Sequence, residues 1–367
     1  MKYYSLDNIL KKHARYNMVF GERSNGKTYS VLDYAVKNYF KTGQQIAVLR
    51  RWREDFKGKR GAAYFDNLVY NGEQQNKIKE YSNGKYDHTV YISGRWYMAY
   101  YDEELEKNIT APDPFAFSFA LTEMEHEKGN SYPLVTTILF DEFMSRGMYL
   151  PDEFVLFMNT LSTIIRHRDN VKIFMCANTV DMIGCPYFKE MGLKHVKDMK
   201  KGDIDVYEYG NSGLKVAVEY SDSPNKEGKP SDVYFAFDNA KLKMITSGEF
   251  ELDFYAHITG HIDQKDIIFS YFIMFDDSLL QADVIQRENE TFTFIHPKTT
   301  PIKYEDKDII FTTEANTQCN YYGKLTKPIN KAIRKLFWYF VANKVFYSDN
   351  ETGEIVAHYL YWCNNNK

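Results

Sequence analysis

The chain has 367 residues, room for two domains, with 44 % hydrophobic and 26 % charged side chains, a balance that excludes disordered and fibrous classes. A net charge of −4 and a pI near 6.2 exclude a uniformly cationic nucleic-acid binder, so any contact with phosphate backbones must come from local basic patches. Four dispersed cysteines (Cys176, Cys185, Cys319, Cys363) without a CxxC pair point to reduced thiols rather than a zinc or disulfide framework.

The opening MKYYSLDNILKKH has no apolar core of signal-peptide length, and the most apolar run, 267–275, is too short to span a bilayer, so a soluble intracellular protein is expected. Residues 5–13 read as a short helix. Asn17–Phe20 is a short buried strand, and Lys27–Phe40 a helix with Val31, Leu32, Ala35, Val36 and Tyr39 at helical spacing. Gly43 ends that helix, and Gln45–Trp52 is a second buried strand, so the first fifty residues form a βαβ unit of a parallel sheet. HTVYI and WYMAYY flank the Ser93-Gly94-Arg95 turn as a hairpin, and 102–133 reads as loop-rich between Pro112, Pro114 and Pro133. Thr136–Phe140, the helix Asp152–Arg168, the strand Val171–Ala177 and a hairpin over 204–220 complete a first domain at 1–220. The polar stretch 221–232 is composed as a linker. Over 233–367 a smaller α+β domain is expected, with strands at 233–238, 242–246, 250–259, 267–275, 291–295 and 308–313 and an amphipathic helix at 327–344.

Between the first strand and helix, Gly21, Glu22, Arg23, Ser24, Asn25, Gly26, Lys27 and Thr28 fill the G-x-x-x-x-G-K-[ST] pattern at every fixed position. A polyphosphate needs inward backbone N–H groups, which glycines permit and a helix N-terminus supplements. Lys27 is placed to reach the β- and γ-phosphates, and the Thr28 hydroxyl to ligate Mg²⁺. The third strand ends in Asp141-Glu142. In parallel sheets ligands gather at the carboxyl ends of strands, so Asp141 fits a carboxylate holding Mg²⁺ through water and Glu142 the base that orients an attacking water. The adjacent Glu favours hydrolysis over transfer to a small molecule.

Arg166-His167-Arg168 closes the helix before the fourth strand. It is expected at the rim of the sheet's ligand edge, as an arginine finger from Arg166, with Arg168 second, or as cations favouring a helix C-terminus. Asn178, ending the fourth strand, is either a γ-phosphate sensor or a turn-forming surface residue. Three basic clusters are DNA-contact candidates or solvated faces: Arg50, Arg51 and Arg53 with Lys57, Lys59 and Arg60; Lys189, Lys194, Lys197, Lys200 and Lys201; and Lys324, Lys327, Lys331, Arg334 and Lys335.

With GERSNGKT, the Arg50-Arg51 pair, ILFDEF, Arg166-His-Arg168 and Cys176-Ala-Asn178 in that order, the chain resembles the DNA-packaging (encapsidation) ATPases of small short-tailed bacteriophages, relatives of the large terminase motors. The resemblance covers roughly residues 15–190. It implies an α/β P-loop NTPase of the additional-strand, catalytic-Glu type with a mainly parallel sheet. A smaller RNase-H-like domain would follow, a DNA-gripping relic of a nuclease, although Asp238, Asp276, Asp277 and Asp283 leave a live nuclease open. It also implies ATP and Mg²⁺ as cofactors, double-stranded DNA as partner, and a homomeric ring (a pentamer in the family) on a capsid portal in the host cytoplasm, with an RNA scaffold a further partner. By the same resemblance Arg53 matches a basic lid residue and Lys128 a basic residue acting across the subunit interface. The rival classes are another nucleic-acid ATPase (a helicase, a translocase or a terminase with active nuclease), a small-molecule phosphotransferase, and a structural nucleotide-binding module.

Overall fold

The computed structural model describes residues 4–70, 75–123, 129–145, 149–178, 185–222, 255–258, 262–276, 278–288, 290–327, 330–331 and 333–365. The chain divides into two compact units, Met1–Glu251 and Leu252–Lys367. Beyond Ser221 and Asp222 the linker stretch lies outside the described residues, as do the strands read at 233–238 and 242–246 and all of 250–259 but 255–258.

The first unit is built on a ten-stranded sheet among the described residues. Its parallel body comprises β1 (Tyr16–Gly21), β2 (Gln45–Arg50), β6 (Ala116–Ala120), β7 (Val135–Asp141), β8 (Lys172–Asn178) and β10 (Leu214–Ser221). These lie in the order β6-β2-β7-β8-β1-β10. Antiparallel edges are added by β3 (His88–Ile92), β4 (Arg95–Asp102) and β5 (Lys107–Thr110) beyond β6, and by β9 (Ile204–Tyr209) beyond β10. β6 falls in the stretch read as loop. It begins two residues after Pro114, and a proline ahead of a strand does not prevent one.

Successive side chains of a strand point to opposite faces, and here they feed two different cores. Met18 and Phe20 of β1, with Ile138 and Phe140 of β7, pack with Phe157, Leu161 and Ile164 of helix α2 (Glu153–Ile165). Val19 and Leu139 pack with Val31, Leu32, Ala35 and Val36 of helix α1 (Lys27–Thr42) on the other face. Every residue of β7 is buried, which is why its sequence is an apolar run rather than an alternation. Each fully buried aliphatic side chain is worth about 1.5–3 kcal/mol. The strand that carries the acid pair is therefore among the least able to shift.

In the second unit β11 (Ile267–Phe275), β12 (Ser278–Arg287) and β13 (Glu290–Pro297) form an antiparallel meander. β14 (Ile310–Thr312) lies parallel beside β11, β15 (Tyr321–Tyr322) beside β14, and β16 (Val345–Tyr347) beside β13. The sheet order is thus β15-β14-β11-β12-β13-β16, a meander with two parallel strands outside its first and one beside its last. β12 escaped the sequence reading because Asp283 interrupts its apolar pattern. That carboxylate is buried and satisfied by Ser270 Oγ at 2.6 Å, Gln281 Nε2 at 2.9 Å and His296 Nε2 at 3.1 Å. The expected helix at 327–344 is shorter, Arg334–Val341. Asn343 turns left-handed (φ 55°), and the Lys344 N–H donates to Tyr339 O at 2.8 Å, closing the helix. A second helix, Asn350–Asn365, follows.

Candidate nucleotide site

Register brings the carboxyl ends of five strands to one edge: Gly21 of β1 pairs with Asn178 of β8 and Ser221 of β10, and Asp141 of β7 pairs with Cys176 of β8. Leu49 of β2 pairs with Phe140, so Arg50 comes out beside Asp141. β8 stands between the loop strand β1 and the acid strand β7, the additional-strand arrangement.

A cleft of about 380 Å³ opens there, lined among others by Ser24, Lys27, Thr28, Asp141, Glu142 and Asn178. That volume suits a nucleotide-sized ligand. The Lys27 ammonium is buried and bonded to Gly21 O at 3.3 Å, Glu22 O at 2.6 Å and Asn25 Oδ1 at 3.1 Å. Burial pulls its pKa down to about 8 against the nearby anionic groups. Arg23 and Ser24 are exposed at the loop's crest, and Glu22 pairs with Lys201 at 2.9 Å.

Thr28 Oγ1 donates to Asp141 Oδ1 at 2.8 Å, joining residues 113 positions apart. The other Asp141 oxygen accepts from Arg50 Nη1 at 2.8 Å and Tyr64 Oη at 2.9 Å. Arg50 Nη2 reaches Glu142 Oε2 at 2.9 Å, so one guanidinium spans both acids. Burial would lower the Arg50 pKa, but Asp141 and Glu142 outweigh it and hold it up. Burial and Asp141 likewise push Tyr64 up, so it stays a phenol that donates. Glu142 is the more open acid, its side chain 59 % exposed, and it takes a left-handed φ of 57° at the strand's exit. A non-glycine residue there carries strain of about 1–3 kcal/mol, a cost that concentrates at functional sites.

Two basic assignments are corrected. Arg50 belongs to the acid pair. Arg51 is buried, forked onto Glu153 at 2.6 and 2.8 Å and onto Phe143 O at 2.9 Å, where it fastens α2 to the end of β2. Neither is a surface available to DNA. Arg53, Lys57, Lys59 and Arg60 of that cluster are exposed, Arg53 being paired with Glu123 and Lys57 with Glu54.

Arg166 and Arg168 are also displaced from the expected rim. A helix that leads into a parallel strand delivers its end to that strand's amino edge. Arg168 donates to Pro133 O and Tyr132 O at 3.1 and 3.0 Å, before β7 begins, and Arg166 Nη2 to Asn130 O at 2.6 Å. At about 3.3 Å per residue, the length of β7 separates them from their own phosphate loop by roughly 20 Å. Lys128, Asp238 and Asp277 lie outside the described residues. Lys331, Arg334 and Lys335 are exposed beside Trp338.

Among the described residues no group of three or more His, Cys, Asp or Glu is placed to hold a metal, and no helix is long and apolar enough to cross a membrane. Tyr64 carries no local motif and Ser221 opens the polar stretch composed as a linker, so neither announces itself in the sequence, and Arg50 reads there only as one of a basic cluster. The usable signal is that two apolar strands end in opposite charges.

The profile of the Podovirus DNA encapsidation protein (Gp16) family matches residues 1–288. The DNA packaging protein of Bacillus phage B103 is 28 % identical over 213 residues, 57 % of each chain. That of Bacillus phage phi29 is 26 % identical over 227 residues, 61 % of this chain and 59 % of the relative. The chain thus aligns with less than two thirds of the length of these curated relatives. Among solved structures, a chain of the bacteriophage Phi-29 viral genome packaging motor assembly superposes with a TM-score of 0.59 at 20 % identity over 97 % of both chains. The Phi-28 gp11 DNA packaging motor gives 0.53 at 17 % identity over 100 % of this chain and 99 % of that one. At such identities these superpositions speak for the fold, and the profile match over 1–288 decides the relationship: the chain belongs to the Podovirus DNA encapsidation protein family.

Proposed function

We propose that this protein is the ATP-hydrolysing subunit of a homomeric ring that drives double-stranded viral DNA into a preformed capsid. The observation that carries the reading is the Thr28–Asp141 contact, which seats a complete phosphate loop against an Asp-Glu pair with one strand between them. The reaction is ATP plus water to ADP plus phosphate. Loop N–H groups and Lys27 bind the phosphates. The Thr28 hydroxyl and Asp141 carboxylate are hard oxygen donors suited to Mg²⁺, which when bound neutralises phosphate charge. Glu142 orients the attacking water and takes up its proton. In the geometry described Glu142 is tied to Arg50, so hydrolysis requires that bond to open.

Arg166, remote from its own loop, acts as the finger only toward a neighbouring subunit, which supports a ring. The pentameric state, the portal and an RNA scaffold are part of the proposal through the family. The second unit and the exposed Lys57, Lys59, Arg60, Lys331, Arg334 and Lys335 supply the salt-sensitive, sequence-blind grip on DNA. The test is steady-state phosphate release with and without long duplex DNA on portal-bearing capsids, at several salt concentrations. Stimulation that fades with salt is expected. Turnover indifferent to DNA in every condition overturns the motor reading.

A further inference from the structure

The loop motif leaves its four inner positions free, yet here one of them is pinned from far along the chain. Asn25 is buried, and its Nδ2 donates to Ser221 Oγ at 3.0 Å across 196 positions. Its Oδ1 accepts from the Lys27 ammonium at 3.1 Å and the Lys27 backbone N–H at 3.3 Å. Ser221, with no exposed surface, donates in turn to Phe20 O at 3.0 Å. A Cβ on Gly21 would lie 2.2 Å from Ser221 Oγ, and Gly21 holds φ at 154°. A second tie runs alongside: the Tyr4 N–H donates to Asn25 O at 2.9 Å while Tyr4 Oη donates to Glu219 Oε2 at 2.6 Å. Both ties end on the last three residues of β10, one residue short of the last described residue before 223–254.

We propose that Ser221 is a positioning residue for the phosphate loop, orienting the Asn25 amide and through it Lys27, so that filling the loop is felt at the end of β10. The inference rests on the reading of this loop as a nucleotide site. An amide whose two ends are held by a hydroxyl and an ammonium has one satisfied orientation, because its N–H₂ cannot face the ammonium. When Lys27 turns to a bound phosphate, the Oδ1 contact loosens, and the Ser221 bond carries the change to the strand through which the chain leaves the ATPase sheet. The Gly21–Ser221 contact leaves no slack to absorb it.

The test uses the full chain, Mg²⁺ with ATPγS as probe, calorimetry for affinity, and hydrogen exchange of the Val218–Ser221 amides with and without saturating probe. In the unsubstituted protein the probe should slow exchange there at least threefold. Ser221→Ala should weaken probe binding roughly three- to tenfold, the loss of one or two net hydrogen bonds, and remove most of the exchange response at saturation. Asn25→Ala cuts the same path from the loop side, leaves the Ser221–Phe20 bond, and should remove the response too. If both variants keep the full difference between bound and free, with exchange merely faster in both states, Ser221 is only structural and the inference falls. An unsubstituted protein that binds the probe without any exchange response also overturns it. One that binds no probe overturns the nucleotide reading first.

Discussion

Arg50→Ala is the most informative single change at the acid pair, because its cost depends on what else neutralises Asp141. The guanidinium is largely buried, 17 % exposed, and makes bonds of 2.8 Å to Asp141 and 2.9 Å to Glu142. The Asp141 side chain is 10 % exposed, so losing its cation leaves a poorly solvated carboxylate held only by Thr28 and Tyr64. Hydrogen bonds to charged groups are worth about 1.5–3 kcal/mol net, and the Glu142 bond, open to solvent, adds little. A loss of about 2–4 kcal/mol is expected without nucleotide. For a unit of this size that lowers the melting temperature by roughly 4–16 °C. A divalent cation beside Asp141 supplies the missing positive charge, so with saturating Mg²⁺ and ADP the gap between variant and unsubstituted protein should shrink by more than half. Thermal unfolding in both conditions decides it. A shift below 2 °C (roughly 0.5–1 kcal/mol), or an equal gap with and without Mg²⁺–ADP, would refute the placement of Arg50 as the resting counter-ion of the acids.

Glu142→Gln should lower kcat by about 10²–10⁴-fold while nucleotide affinity, measured by calorimetry, stays within a fewfold, since the amide cannot take the water's proton. Arg51→Ala should destabilise the first unit by about 3–5 kcal/mol by stranding buried Glu153, and chemical denaturation should show this with no DNA present. Mixing Arg166→Ala with Glu142→Gln subunits should restore phosphate release at hybrid interfaces, and release no higher than in either variant alone would count against a trans finger. In the second unit, the bond to Asp283 raises the His296 pKa above 6.5. Asp283 is lowered below 3.8 because its bonds to His296, Ser270 and Gln281 outweigh its burial. The His296 contribution is complete below pH 6.5 and lost as pH rises through its raised value, and that of Asp283 is complete above pH 3.8 and lost as pH falls through its lowered one. Melting of the full chain should therefore fall more between pH 6 and 9 than in His296→Gln, and equal slopes would dismiss the pair.

The phosphate loop and the Asp141-Glu142 ending were legible because each is written within a few consecutive residues whose types the chemistry dictates. Arg50, Arg166 and Arg168 were misplaced because their meaning depends on which strand lies beside which. Arg50 sits next to Asp141 only because β2 pairs with β7, and nothing local says so. Arg168 illustrates a rule the sequence did contain: a helix entering a parallel strand ends at the amino edge, away from the ligands. The helix Asn350–Asn365 was missed through Gly353 in its first turn. A Cβ at that position would lie 2.2 Å from the Tyr255 ring, so a residue that reads as a breaker is there for packing.

The strand order bears directly on why this site would split ATP rather than pass its phosphate to another molecule. Were the acid strand next to the loop strand, its carboxylates would stand one inter-strand spacing, about 4.8 Å, from the strand that carries the loop. With β8 interposed the separation doubles to about 9.6 Å. The added width is about that of one water layer, and Glu142, the more open acid at the strand's left-handed exit, is the residue to face it once its bond to Arg50 opens, while Asp141 stays anchored to Thr28. Arg50 reaches both acids from β2, on the side of β7 away from β8. On the proposed reading, a guanidinium that holds Glu142 until a cation and phosphate displace it would keep the site idle between substrates. In the proposed ring, such idling by charge competition would prevent hydrolysis without work and would need no moving part beyond one side chain.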